Sequence, residues 1–235
     1  GTNAQINAFV CPSDPNGGRA DHNNTTNTNN YYACVGTTTN WSNILNSSLN
    51  KRSINWPSMG LFTLQQSNGV QNVVDGTSNT IAFAEAVVGN QHELQRQRFI
   101  GLNSVSMSSS AKLLDARMNV SAVTAALQAC SQAWNSGSAH IDKQRGENWA
   151  HGCMAMTLFN TVATPNAYGE EWTHCSSVSS GAVANFSNAD SYHPGGANCL
   201  MADGSVHFLK DSINKVTWWA LGTVAGNEVI SSSSY

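Results

Sequence analysis

The stretch that most constrains the fold is residues 191–208, Ser-Tyr-His-Pro-Gly-Gly-Ala-Asn-Cys-Leu-Met-Ala-Asp-Gly-Ser-Val-His-Phe. An Asp-Gly pair between two apolar-rich runs is a strong hairpin signal, because a type I′ turn needs positive φ at both central residues. If Asp203 and Gly204 are the turn, Ala202 faces Ser205, Met201 faces Val206, Leu200 faces His207 and Cys199 faces Phe208. Alternation then places Cys199, Met201, Val206 and Phe208 on one sheet face, which is expected to be the core face. Upstream, His193-Pro194-Gly195-Gly196 reads as a tight approach into the first strand, with proline fixing φ and the glycines allowing close backbone passage. His193 and Asp203 flank one strand. The simplest expectation is a structural lock in which the imidazole bonds the turn. A metal site or an acid–base pair is the alternative use of the same two side chains.

Those residues also carry a resemblance. His193, nine intervening residues and Asp203-Gly204 together resemble the C-terminal signature of a bacterial family of prepilin-like proteins related to the pseudopilins of type II secretion. Phe9 to Pro15, Asn30 to Cys34, Val74 to Thr80, Arg145-Gly146 to Trp149, Leu158 to Val162 and the end from Trp219 to Tyr235 fit the same pattern in order. The resemblance implies a pseudopilin-like globular domain that serves as a structural subunit. It also implies a basic leader and a long apolar helix, neither of which Gly1-Thr2-Asn3 begins. The chain is therefore read as the globular part alone, touching a membrane only through that absent helix.

A chain of 235 residues can bury a large core, and residues 1–235 are read as a single globular domain. Charged residues make up 11% and the net charge is -3, so no nucleic-acid footprint is visible. Asn, Ser and Thr together number 74, a polar but uncharged composition that suits an extracellular or cell-surface protein and long turns. The longest apolar runs fall far short of the roughly 20 residues that span a bilayer. None of the six cysteines, Cys11, Cys34, Cys130, Cys153, Cys175 and Cys199, forms a Cys-x-x-Cys pair. In a chain read as exported, an even count leads to an expectation of three disulfides. Cys11–Cys34 is the most local pair, and the other four are expected to pair among themselves. Buried free thiols, behaving as small hydrophobes, are the alternative.

Taken in order, the chain suggests a short element over 6–10 and a polar loop over 12–30. Strands are expected at 31–35, 59–64, 70–74 and 81–88, a short helix at 41–49 within an irregular stretch, and a loop or short helix at 91–98. The clearest helix is 120–134, where Val120, Val123, Ala126, Leu127, Cys130 and Trp134 form one stripe, with Ser121 as a cap and Gly137 after its end. Its buried face would present Cys130 to the sheet. Strand character returns over 145–165 and 197–209, followed by a short helix at 215–221 and a last strand at 227–231. The expected fold class is α+β, an antiparallel sheet core with one or two helices and long decorated loops.

Asp75, Thr77 and Asn79 place oxygen donors at alternate positions, a spacing found in calcium loops. The glycine is misplaced for an EF-hand and no bidentate Glu closes the loop, so an Asx-turn is the competing reading. No cofactor is expected, and calcium at this loop is the alternative.

No Gly-x-Ser-x-Gly elbow, His-Glu-x-x-His motif or Walker loop is present, and Glu170-Glu171 read as a turn rather than a glycosidase pair. The leading expectation is a non-enzymatic, self-associating subunit of a filament or pseudopilus-like assembly. A secreted module binding glycans or other polymers through Trp56, Trp149 or Trp172 comes next, and a secreted enzyme last.

Overall fold

The computed structural model describes residues 3–18, 27–40, 58–63, 67–89, 101–167, 172–228 and 230. The fold is α+β, with two mixed sheets and two α-helices among the described residues. In chain order the elements are β1 (Tyr31–Cys34), β2 (Ile81–Glu85), β3 (Gly101–Asn103), α1 (Val120–Ser136), β4 (His140–Asp142), β5 (Leu158–Phe159), β6 (His174–Cys175), β7 (Phe186–Ser187), β8 (Gly196–Met201), β9 (Val206–Lys210) and α2 (Lys215–Gly222). The larger sheet has the order β5-β1-β2-β8-β9, antiparallel except for the β1/β5 pair. The smaller has the order β4-β3-β6-β7, with a parallel β3/β6 contact.

Each sheet covers its own core. One face of the larger sheet contributes Tyr32, Cys34, Ile81, Cys199, Met201 and Leu209, on which α2 lays Trp218, Trp219 and Leu221. Both indole N–H groups find carbonyls, Trp218 on Ala163 (2.7 Å) and Trp219 on Val162 (3.0 Å), which offsets the cost of burying them. The smaller sheet packs Leu102, Cys175 and Phe186 against the stripe of α1, in which Val123, Ala126, Leu127, Cys130 and Trp134 are buried. That stripe is as expected from the spacing except at its start, where Val120 is exposed. Gly137 ends the helix in the left-handed region at φ 68°. The cap is Asn119, whose side chain accepts from the Ala122 N–H, whereas the expected cap Ser121 gives its hydroxyl to Asn119.

The hairpin forms, with a register one residue away from the expected one. Cys199 faces His207 and Leu200 faces Val206, while the Met201 N–H donates to the Ser205 carbonyl (2.8 Å). The loop is thus Ala202-Asp203-Gly204, with only Gly204 at positive φ (89°), as in a type I turn closed by a left-handed residue. Because side chains alternate, a one-residue slip turns every side chain of the second strand over. Cys199 and Met201 stay in the core, but Val206 and Phe208 face outward and Leu209 takes the inner position.

Several other expectations change. Val70–Asn72 and Asn7–Phe9 are single turns of 3₁₀-helix. Strand pairing within 145–165 is confined to Leu158–Phe159 and a bridge at Met154, and among the described residues near 59–64 it is a bridge between Phe62 and Ser67. Residues 227, 228 and 230 form no strand. The helix expected at 41–49, the loop or short helix expected at 91–98, and Trp56 lie outside the described residues.

Arg145 ties the two sheets together. It is completely buried, and its guanidinium donates to the carbonyls of Val87 (3.0 Å), Thr173 (2.6 Å) and Asn188 (2.5 Å). It pairs with Asp190 at 2.9 Å and lies over the Tyr32 ring, 5.1 Å from its centroid. A planar, five-donor cation is suited to satisfying several converging carbonyls at once.

Candidate functional site

The outer face of the larger sheet, opposite the core, is where side chains capable of chemistry converge. The register aligns Tyr31 with Glu85 across β1 and β2, sets Asn198 beside Glu85 on β8, and pairs Asn198 with Phe208 on β9. Over the Glu85 end of this row lies the segment that begins at Cys11. Its backbone is fixed by Asn30, whose side-chain oxygen accepts from the Cys11 N–H (3.0 Å) and whose amide donates to Asp14 (2.6 Å) and Ala86 (2.9 Å). From the other side comes the loop into β8, where the Ser191 hydroxyl accepts from the His193 N–H (3.0 Å).

The result is a cluster of Cys11, Glu85 and His193 whose sulfur, carboxylate and imidazole atoms all lie within 4.8 Å of one another. His193 Nε2 is 3.3 Å from Glu85 Oε1, and Cys11 Sγ is 4.0 Å from the same oxygen. Asn198 fixes the carboxylate, donating its backbone N–H to Oε2 (2.8 Å) and its side-chain amide to both oxygens (3.1 Å each). Cys11 and Glu85 are buried, whereas the His193 side chain is 34% exposed. Burial pushes the Tyr31 phenol pKa up, and the neighbouring Cys11 and Glu85 add to the effect.

This cluster differs from the sequence-based candidates. His193 sits at one end of β8 and Asp203 at the other, six strand residues apart or roughly 20 Å at a strand's rise. The lock between them is not formed. His193 pairs with Glu85, while Asp203 accepts from the N–H (2.9 Å) and hydroxyl (2.7 Å) of Ser205, bonds that hold its carboxyl below the usual range. Ser205 also approaches His207 Nε2 at 3.2 Å, but its hydroxyl already serves Asp203, an order unlike that of a catalytic triad.

The Asp75 carboxylate and the Asn79 amide are engaged within the fold, and the Thr77 backbone carbonyl closes on the hairpin turn. The Asp75 carboxylate accepts from the N–H groups of Gly226 (2.6 Å) and Asn227 (2.8 Å). Thr77 offers its carbonyl to the Asp203 N–H, and the Asn79 amide turns back to the Asp75 carbonyl. That is turn capping of the kind weighed against calcium, reaching to the far end of the chain rather than only to its own loop.

The cysteines form one disulfide, Cys130–Cys175, which joins α1 to β6. It pairs two of the four C-terminal cysteines, as expected. The expected Cys11–Cys34 bond is absent, and Cys11, Cys34, Cys153 and Cys199 are free. Cys11 lies on the outer face by Glu85, while Cys34 points into the core toward the Gly222 carbonyl, so β1 separates them. Burial pushes the Cys34 and Cys153 thiols up to about 12 and the Cys199 thiol well up, which makes all three poor nucleophiles.

Elsewhere, Asp142 and His174 form a buried pair (3.6 Å) beside β3. Burial works to raise the Asp142 pKa, but His174, the Gln144 N–H and Asn103 outweigh it and hold the carboxyl well below the usual range. Asp142 also accepts from the Gly181 N–H (2.8 Å), so the pair braces a loop. A groove of about 330 Å³ near Phe62 and Val73 is lined without any titratable side chain. Of the tryptophans weighed for glycan stacking, Trp172 is buried and Trp149 packs on Phe9 with its indole N–H on the Ala4 carbonyl.

Residues 1–216 match the family described as Protein of unknown function (DUF1559). Neither the curated proteins nor the solved structures contain a match.

Proposed function

The chain belongs to the family described as Protein of unknown function (DUF1559), and from that membership together with its exposed sheet edge we propose that it is a structural subunit of an extracellular or cell-surface, pseudopilus-like assembly. It works by contact with further copies of itself rather than by catalysis. The observation that carries this reading is β9. Among the described residues it is the last strand of the larger sheet, and it displays Val206 at 64% and Phe208 at 45% exposure. An edge strand offers a row of backbone donors and acceptors to an incoming strand, and apolar side chains beside it add contact area. Lys210, at the end of β9, limits how far such pairing can run.

Two properties support the same reading. With 11% charged residues, copies repel one another weakly and tolerate close lateral packing. The Cys130–Cys175 bond suits a protein that persists in an oxidising environment.

The test is electron microscopy and cross-linking of material isolated from its native source. Ordered polymers with β9 at the subunit contact, burying upward of roughly 2,000 Å² in total, are expected. Val206→Lys with Phe208→Lys should disperse them while leaving the fold intact by circular dichroism. Native material that stays monomeric at high concentration would overturn the reading.

A further inference from the structure

We infer that Cys11, Glu85 and His193 form a binding site for a single zinc ion on the outer face of the larger sheet. Three features carry this. The first is donor chemistry: a thiolate, an imidazole nitrogen and a carboxylate oxygen form a set that suits Zn²⁺ better than Ca²⁺ or Mg²⁺, which take oxygen ligands. The second is geometry. With bonds of about 2.0–2.3 Å, a tetrahedral zinc holds its ligand atoms about 3.3–3.6 Å apart. The separations of 3.3 Å and 4.0 Å about Glu85, and the 4.8 Å bound on the whole set, lie within a small side-chain adjustment of that figure.

The third is the way the donors are held. Each comes from a different segment, and each segment is fixed by hydrogen bonds that leave the donor atoms pointing together. Asn30 holds the Cys11 backbone, Asn198 orients the Glu85 carboxylate, and Ser191 holds the His193 backbone. Such outer partners are what fix ligand orientation in protein metal sites. A divalent ion would take the place of the direct contacts that the Glu85 carboxylate now makes with the Cys11 thiol and the His193 ring, while the Asn198 bonds stay. Three protein donors leave a fourth position, and the partly exposed His193 side of the cluster is where an ion enters and a water completes the shell. The remaining reading is that the three side chains only brace the sheet through hydrogen bonds.

The test uses the full chain, stripped with a chelator and titrated with Co²⁺ as a spectroscopic probe, then with Zn²⁺. One Co²⁺ per chain is expected, with tetrahedral visible bands and a thiolate-to-cobalt charge-transfer band in the near ultraviolet, all bleached by Zn²⁺. Cys11→Ser should remove the charge-transfer band, and Glu85→Gln and His193→Gln should each weaken binding by at least about tenfold. Bands that survive Cys11→Ser, or wild-type protein that takes up no Co²⁺, would overturn the site in favour of the brace. Should Cys11→Ser fail to fold, alkylation of wild-type protein decides. One equivalent of Zn²⁺ should slow Cys11 labelling at least about tenfold and leave Cys153 unchanged, and equal Cys11 rates with and without the ion would sink the proposal.

Discussion

The two sheets are stabilised differently. The larger one has strands of up to six residues, a β1-β2-β8-β9 ladder with a register shift between Ile81 and Phe83, and a core of aromatic and aliphatic side chains under α2. Backbone pairing and apolar burial suffice for it. The smaller one has strands of two or three residues. Ladders so short do not hold a sheet by themselves. There the structure relies on a disulfide to α1 and on side chains that reach backbone groups. The Asn160 amide, just past β5 of the larger sheet, donates to the carbonyls of Thr38 and Asn185, and the Asn185 amide to that of Thr39, which tie the approach to β7 to the larger sheet, while the Asp142 carboxylate accepts from Gly181. The Asn-rich composition therefore has a structural use: short side-chain amides stand in for strand pairing where the strands run out.

Arg145 is where this contrast is broken most severely. It serves carbonyls beside both sheets, so removing it should not respect the boundary between them. Arg145→Met leaves Asp190 buried without its cation and takes a donor from three carbonyls, of which only that of Thr173 keeps a further backbone bond, from the Asn188 N–H, among the described bonds. The expected loss is about 3–5 kcal/mol, read from denaturant unfolding. Hydrogen exchange should accelerate in α1 and in β8 together. Acceleration confined to one of them would show that the sheets are energetically separate.

The next effect sharpens the contrast. Opening Cys130–Cys175 in a Cys130→Ala, Cys175→Ala chain should cost about 2–4 kcal/mol, by freeing a loop with a sequence separation of 45. Exchange should rise chiefly in α1 and β6 and little in the β8–β9 hairpin. A thiol titration of the unfolded wild-type chain without reductant should find four free thiols, from Cys11, Cys34, Cys153 and Cys199. No free thiols at all would restore the three-disulfide expectation.

Legibility in the sequence follows the same division. α1 is readable because its buried stripe repeats over 17 residues, and the β8–β9 hairpin because an Asp-Gly pair marks its turn, whereas β1, β2 and α2 show only as short apolar runs. The smaller sheet is not readable, because a two-residue strand such as His174–Cys175 has no period to detect. Val70–Val74 misleads because its apolar residues, exposed at Val70 and Val74, resemble a strand without being packed as one. Cys11, Glu85 and His193 carry no local signal as a group. Glu85 lies 74 positions beyond Cys11, and His193 is more distant still, so only the β1–β2–β8 register brings them together. His193 stands out in the sequence as a residue but suggests the wrong partner, since sequence proximity favours Asp203 over a glutamate on β2.

The smallest expected effect tests the hairpin turn, where the larger sheet departs from its anticipated register. Gly204 has φ 89°, and a Cβ placed on it meets nothing within 4 Å, so substitution there costs backbone strain alone. Gly204→Val should lose about 1–2 kcal/mol, and Gly204→Asn less, because Asn enters the left-handed region more readily. Asp203 decides between the two registers. In a two-residue type I′ turn it too would need positive φ, so an alanine there would be strained. In the observed three-residue loop its φ is not positive. Asp203→Ala then costs only the solvent-exposed bonds to Ser205, which water replaces. Equilibrium unfolding should place the Gly204→Val chain well below the Gly204→Asn chain, with the Asp203→Ala chain close to wild type. An Asp203→Ala chain as unstable as the Gly204→Val chain would return the turn to two residues and put Val206 and Phe208 back in the core, removing the exposed strand on which assembly is proposed to rest.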